Sequence, residues 1–167
     1  MSVIILENIR SAYNVGNIIR TADAFGWSVV IAGYTPSHTH PKVLKTSLGA
    51  EQSVSITQFF AEALEQPDGF MDRSPNRTAI DWALSYVRGM CHSIYALEIT
   101  WTSQILSSFS PDINIWLIVG NEIYGVTPET IAQCDGSLAI PMLGLKESLN
   151  VCNAAAVALY ALTFPSH

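Results

Sequence analysis

Short apolar runs alternate with longer amphipathic segments along the chain, a pattern that predicts strands followed by helices. Runs rich in β-branched residues predict six buried strands, at residues 2–7, 28–33, 53–57, 93–100, 114–120 and 137–141. Apolar residues at helical spacing predict the helices, at 14–25, 42–51, 58–65, 76–89, 127–134 and 148–162. The alternation predicts an α/β domain around a mostly parallel sheet flanked by helices.

Several polar residues mark the predicted helix ends. Asn14 is the candidate N-cap of the first helix, and Gly26 is placed to end it. Thr127 followed by Pro128 predicts another helix start. Ser148 and Asn150 open the predicted last helix.

The last helix is apolar on every side from Ala154 to Leu162. Such a helix must be buried all round. Core packing on one face and contact with a second subunit on the other would bury it, so the sequence predicts a homodimer. A helix at the centre of a monomer is the alternative.

Composition bounds the class of protein. The 167 residues are 49% hydrophobic, which fits one domain over 1–167. Only 13% of residues are charged and the net charge is −6, which counts against a nonspecific polyanion binder. Four of the eight basic residues nevertheless lie in the first 50 positions, against two acids there. This locally basic segment is suited to meet a phosphate backbone.

Cysteine and histidine spacing argues against metal and disulfide sites. The three cysteines share no spacing typical of a disulfide framework or a zinc site, which indicates a reducing compartment. His38 and His40 have no third ligand nearby, so a polar loop is expected rather than a metal site. No leader segment and no apolar stretch of membrane-spanning length is visible. We therefore expect a cytoplasmic protein without a membrane span.

Three segments combine glycines with polar side chains, and each follows a predicted strand or begins at its end. They are NIRSAYNVGNIIRTADAFG (8–26), LIVGNEIYGVTPE (117–129) and IPMLGLKESLNVCNAAAVALY (140–160). A dinucleotide fingerprint, a P-loop and a nucleophile elbow are absent from the sequence. Because ligands bind beyond the carboxyl ends of strands in an open parallel sheet, the three segments are expected to converge there.

In this order the three segments resemble the motifs of the SpoU (TrmH) family of SPOUT RNA methyltransferases, and the similarity covers nearly the whole chain. The resemblance implies a SPOUT fold with a C-terminal deep trefoil knot, which general topology rules would not predict. It implies S-adenosyl-L-methionine as cofactor and a homodimer with active sites at its interface. The usual reaction is methyl transfer to a ribose 2′-hydroxyl of RNA, here tRNA or else rRNA. No RNA-binding domain of the kind that many relatives carry before the first motif is expected, so the catalytic domain or the dimer is expected to choose the target.

The resemblance also assigns residues. It implies catalytic-site roles for Asn14, Arg20, Glu122, Ser148 and Asn150. It implies a cofactor held largely by backbone near five further positions, for which core packing is the alternative: Leu97, Gly120, Ile140, Met142 and Leu149. Arg10 is expected to grip an RNA phosphate.

Arg20 is the family's proposed proton acceptor, and this role is chemically awkward because free guanidinium has a pKa above about 12. Either an RNA phosphate and a dry pocket make Arg20 a base, or it stays charged and stabilises the developing alkoxide while water or phosphate takes the proton. Two other functions stay open: an RNA-binding protein of the same fold without activity, and a SPOUT enzyme that methylates a base.

Overall fold

The computed structural model describes residues 2–60, 77–90, 93–110 and 114–165. Its strands are β1 (Val3–Glu7), β2 (Ser28–Ala32), β3 (Ile56–Phe59), β4 (Ser93–Leu97), β5 (Gln104–Ile105), β6 (Ile115–Val119) and β7 (Gly136–Ala139). Its α-helices are α1 (Ala12–Phe25), α2 (Pro41–Ser47), α3 (Arg77–Arg88), α4 (Pro128–Ile131) and α5 (Val151–Thr163). Short 3₁₀ turns cover Ala50–Gln52 and Leu106–Ser108.

The strands form one sheet in the order β3-β2-β1-β6-β4-β7-β5. Every strand pair in the described part of the chain is parallel, which confirms the predicted α/β architecture. The chain builds outward from β1 to β2 and β3, then crosses to the other side of β1 with β4 and β6. Such a reversal of strand order leaves a crevice at the carboxyl ends of the strands, where ligands bind.

Helices cover both faces of the sheet, so alternate residues of each central strand enter different cores. Ile4 and Leu6 of β1 pack with residues of α1 and α5 in one buried cluster. Val3 and Ile5 pack with residues of α3 in the other. Burial on both faces explains why these strands read as continuous apolar runs.

Two helices begin elsewhere than predicted. The N-cap of α1 is Ser11, whose hydroxyl accepts the Asn14 N–H at 3.4 Å. The prediction of Asn14 as the cap is wrong, because its side-chain amide donates to the carboxylate of Glu122 instead. Helix α5 begins at Val151. Asn150 caps it by accepting the Cys152 N–H at 2.9 Å, so Ser148 does not open the helix. Gly26 ends α1 with a φ of 70°, as predicted.

Other element bounds also differ from the prediction. The helix predicted at 42–51 ends at Ser47, because Leu48 and Gly49 have φ angles of 52° and 96°. Gln58 belongs to β3, which overturns the start of the helix predicted at 58–65. The rest of that helix, and the loop predicted at 66–75, fall on 61–76, outside the described residues. The two-residue strand β5 was not predicted, and the strand predicted at 93–100 ends at Leu97.

Helix α5 buries only one face within the chain. Its buried residues are Ala155, Ala158, Leu159 and Leu162. Val157 and Tyr160 are 46% and 58% exposed, and Phe164 just beyond the helix is 57% exposed. The alternative of a helix at the centre of a monomer is therefore wrong, because one chain leaves an apolar outward face on α5. Across the described ranges, the helices are too short or too polar to cross a membrane.

Candidate functional site

A cavity of about 490 Å³ lies at the carboxyl ends of β4, β6 and β7, closed by the start of α5. Its volume falls within the range of roughly 300–1,000 Å³ typical of small-molecule sites. The five positions expected to hold the cofactor all line it: Leu97, Gly120, Ile140, Met142 and Leu149. Glu122, Ser148 and Asn150 line it as well. The predicted convergence of the second and third segments is confirmed.

The loop after β6 depends on two glycines. A Cβ on Gly120 would lie 2.2 Å from the backbone of Gly125 and Val126. Gly125 has a φ of 69°, and a Cβ there would lie 2.1 Å from the Glu98 carboxylate. Asn121 and Gly125 exchange backbone hydrogen bonds of 3.0 and 2.9 Å across this turn. The close approach fixes the wall of the cavity and requires both positions to lack a side chain.

Glu98, directly after β4, is bonded to the loop that follows β6 at the cavity. Its Oε2 accepts the Val126 N–H at 3.0 Å, and its Oε1 accepts the Ile99 N–H at 3.0 Å. Glu98 is not among the site residues predicted from the sequence. A carboxylate directly after a buried strand was the signal that could have found it.

Glu122 joins the loop after β6 to the start of α1. Its Oε2 accepts the Arg10 N–H at 2.8 Å, and its Oε1 accepts the Ser11 N–H at 2.9 Å. Asn14 Nδ2 donates to the same Oε1 at 2.9 Å. The first and second segments are therefore bonded to each other through two of the predicted catalytic residues.

The environment of Glu122 favours its charged form. Partial burial raises the pKa of the carboxyl, but the hydrogen bonds from Arg10, Ser11 and Asn14 outweigh burial and hold that pKa below its usual range. The ionised carboxylate is placed at the amino end of α1, where negative charge interacts favourably with the helix dipole.

Asn121 organises the other side of this loop. Its Nδ2 donates to the Asn8 carbonyl at 2.9 Å and to the Tyr34 hydroxyl at 2.7 Å. Its Oδ1 accepts the N–H groups of Ile123 and Tyr124 at 2.8 and 3.1 Å. The nitrogen and the oxygen of this amide thus make two hydrogen bonds each. They join the turn at 121–125 to Asn8 and Tyr34 and also bond its own backbone N–H groups.

A buried carboxylate, Glu7, supports the same loop from behind. Its Oε1 accepts hydrogen bonds of 2.9 Å from the hydroxyls of Thr127 and Thr130. Its Oε2 is buried without a hydrogen-bond partner. Burial raises the pKa of Glu7, and the two threonine bonds only partly offset that rise.

The structure leaves both predicted arginines outside the cavity. Arg20 lies on the exposed side of α1, and within the described ranges its guanidinium makes no hydrogen bond or ion pair. Asp23, three residues after Arg20 on α1, accepts the Ser53 hydroxyl at 2.5 Å. The Arg10 residue is exposed, and its backbone N–H is held by Glu122.

The histidine pair serves local structure. His40 caps α2, since its Nδ1 accepts the Lys42 N–H at 3.1 Å. His38 Nδ1 is hydrogen bonded to Gln58 Nε2. No group of three or more metal-ligating side chains occurs among the residues that the structure describes.

The fold and cavity define an α/β protein with a small-molecule site at the end of a parallel sheet. The chain belongs to the SpoU rRNA Methylase family, whose model matches residues 1–160. This match confirms the resemblance seen in the three motifs.

Two relatives show how far the similarity extends. The tRNA (guanosine(18)-2'-O)-methyltransferase of Aquifex aeolicus is 29% identical over 164 residues, covering 95% of this chain and 66% of the relative. The 23S rRNA (uridine(2479)-2'-O)-methyltransferase of Streptomyces viridochromogenes is 29% identical over 162 residues, covering 94% of this chain and 50% of the relative. The chain thus spans between half and two thirds of these relatives' length.

Solved structures share the fold. The SpoU methyltransferase AviRb from Streptomyces viridochromogenes superposes with a TM-score of 0.76 at 25% identity, over 98% of this chain and 58% of that one. A structure described as giving insights into the 2-OH methylation of C/U34 on tRNA has a TM-score of 0.71 at 25% identity. The match covers 96% of this chain and 87% of that one, so the two are of similar length.

Proposed function

We propose that the protein is an S-adenosyl-L-methionine-dependent methyltransferase that acts on a ribose 2′-hydroxyl of RNA. The observation that carries the proposal is the cavity beyond β4, β6 and β7. All five positions that the family motifs assign to the cofactor line it, together with Glu122, Ser148 and Asn150. The family match over residues 1–160 supports the same reaction class.

The cavity fits the cofactor's chemistry. Its apolar walls include Val119, Leu138 and Ala154, which suit a purine ring. Glu98 and Asn121 add polar groups to the lining, and the tight turn at Gly120 would let backbone groups approach a bound cofactor. When bound, the cofactor supplies an electrophilic methyl group.

The chain's own residues align the acceptor. Methyl transfer requires the hydroxyl oxygen to be held in line with the methyl group. Glu122 holds the start of α1 through Arg10, Ser11 and Asn14. It therefore sets where Arg10 meets an RNA phosphate relative to the cavity. Ser148 and Asn150 lie at the cavity edge, where they are placed to orient the ribose.

The position of Arg20 supports a homodimer with shared active sites. Asn17, one turn before Arg20, contacts the Cys152 sulfur at 3.9 Å at the start of α5. Phe25, later on α1, packs against Tyr160 and Phe164, so the helix that carries the exposed Arg20 runs alongside α5. In the proposed dimer the outward apolar faces of the two α5 helices pack together, and Arg20 of one protomer completes the cavity of the other. There it takes the 2′-hydroxyl proton, or it stays charged and stabilises the developing alkoxide while water or an RNA phosphate takes the proton.

The remaining parts of the proposal follow from the family. The C-terminal trefoil knot is expected because the fold matches SpoU structures throughout. A cytoplasmic location fits the free thiols of Cys134 and Cys152. Transfer RNA is the favoured substrate, because the Aquifex aeolicus relative is a tRNA (guanosine(18)-2'-O)-methyltransferase and one neighbouring structure concerns 2-OH methylation of C/U34 on tRNA. Ribosomal RNA is the second candidate, since the Streptomyces viridochromogenes relative is a 23S rRNA enzyme.

The test measures cofactor binding and methylation separately. Purified protein is titrated with S-adenosyl-L-methionine by calorimetry, then incubated with radiolabelled cofactor and tRNA or rRNA from cells lacking the gene. Methylated linkages that resist alkaline hydrolysis locate the 2′-O-methyl group. Absence of cofactor binding would favour an inactive RNA-binding protein, and methylation without resistant linkages would favour a base-methylating enzyme.

Arg20→Ala tests the proposed catalytic arginine. Its cofactor affinity is expected to match the wild type, because Arg20 does not line the cavity of its own chain. Its methylation rate is expected to fall at least about 100-fold. Arg88→Ala, on α3 across the sheet, is the matched control. A near wild-type rate for Arg20→Ala would refute the role.

A further inference from the structure

Tyr124 presents an aromatic ring at the mouth of the cavity. Its residue is 76% exposed, and it lines the cavity. Its ring packs against no other aromatic ring within the described part of the chain. The family motifs assign no role to this position, and the proposed reaction leaves it unused.

The backbone beneath this ring is held firmly. The Tyr124 N–H donates to Asn121 Oδ1 at 3.1 Å. The adjoining Gly125 exchanges two backbone hydrogen bonds with Asn121. Only the two side-chain torsions of Tyr124 therefore remain to be ordered when a ligand covers its ring, so the entropy cost of binding there is small.

The charge around the ring indicates what covers it. Arg10, an exposed cation, is attached to the loop that carries the ring, because its backbone N–H donates to the Glu122 carboxylate at 2.8 Å, two residues before Tyr124. A nucleotide presents both a phosphate and a flat base. Aromatic rings beside a basic groove are the usual platform for unpaired bases.

We propose that Tyr124 stacks on the base of the nucleotide whose ribose enters the cavity. This inference rests on the proposed function and names a substrate-positioning residue for it. The target base is the fitting occupant because Tyr124 lines the cavity that the ribose must reach, and the base is joined directly to that ribose. Stacking also suits a chain of net charge −6, since it does not depend on phosphate attraction.

Three variants test the platform with the mapped RNA substrate. Tyr124→Ala is expected to raise KM for RNA about tenfold, with cofactor affinity unchanged. Tyr124→Phe keeps the ring and is expected to stay within about twofold of the wild type. Trp82→Ala is the matched control, because Trp82 is 56% exposed on α3 and does not line the cavity. The salt dependence of RNA binding is expected to be the same in Tyr124→Ala as in the wild type, because no phosphate contact is removed.

A second measurement removes the base instead of the ring. A substrate that is abasic at the target nucleotide keeps the 2′-hydroxyl. With the wild-type protein its KM is expected to be about tenfold higher than that of intact RNA. Tyr124→Ala is expected to show no further loss with it. If the variant and the abasic substrate each raised KM independently, so that their effects multiplied, the inference would be overturned. An unaltered KM or weakened cofactor binding in Tyr124→Ala would overturn it as well. A wild-type protein that methylates no RNA would instead overturn the proposed function, and the inference with it.

Discussion

The Glu122 carboxylate is expected to contribute measurably to the stability of the fold. In Glu122→Gln the amide oxygen can still accept from Ser11 and Asn14, but its NH₂ group faces the Arg10 N–H, which is itself a donor. One charge-assisted bond is lost and two are weakened. Such bonds contribute about 1.5–3 kcal/mol each to the free energy of unfolding when they are shielded from solvent. Because Glu122 is exposed to solvent, screening reduces the total to about 1–2 kcal/mol.

Urea denaturation at pH 7 and fixed protein concentration measures this loss. Thermal unfolding should show it as a fall in Tm of about 2–8 °C. Glu129→Gln is the matched control, because Glu129 is an exposed carboxylate in the first turn of α4. Its substitution is expected to change the free energy of unfolding by less than about 0.5 kcal/mol.

The pH dependence of the difference identifies its cause. The pKa of Glu122 is lowered in the folded protein from an ordinary value of 4.5. Its contribution is therefore fully present above about pH 4.5 and is lost as the pH falls through the lower folded pKa. The difference in free energy of unfolding between the wild type and Glu122→Gln should be constant from pH 7 to 5.5 and should shrink below pH 4.5. Equal stabilities at pH 7, or a gap that does not narrow in acid, would refute the reasoning.

Three further outcomes are expected. Glu7→Gln should gain stability over the wild type as the pH rises from 4.5 through the raised folded pKa of Glu7. If urea titrations gave the same slope of unfolding free energy against pH for both proteins, this would be contradicted. Gly120→Ala should lose at least about 2 kcal/mol and its cofactor binding, because its Cβ would meet the Gly125 backbone at 2.2 Å. Gly144→Ala, with nothing within 4 Å of its Cβ, should match the wild type in both calorimetry and denaturation. Burial raises the pKa of the Cys134 thiol to about 12. In a variant whose other cysteines are serines, this thiol should therefore resist thiol reagents at pH 8 until urea is added. Rapid labelling of the native protein would count against its burial.

The sequence predicted the parts of this fold that depend on local pattern. The continuous apolar runs of β1 and β6 reflect burial on both faces of a parallel sheet, so both strands were expected. The convergence of the segments at 117–129 and 140–160 followed from a general rule about the carboxyl ends of parallel strands. Gly26 ended α1 as expected because a left-handed residue there favours glycine.

Features that depend on distant partners were not predictable. Ser11 and Asn14 are both good capping residues, and the choice between them depends on Glu122, which is 108 residues beyond Asn14. Strand β5 has two residues and is defined only by its pairing with β7. The motifs identified Arg20 but not its place, because exposure on α1 is a property of the folded chain.

The central position of β1 has a consequence for how the protein is made. One edge of β1 pairs with β2 soon after synthesis, but the other pairs Val3 with Trp116 of β6. At about 5–20 residues per second, a ribosome needs roughly 5–20 s to supply that partner. During this interval the nascent chain carries an open apolar strand edge, which invites wrong pairing. Ribosome-bound chains stalled before β6 are therefore expected to be the species that holdase chaperones bind, and release is expected once β6 has emerged.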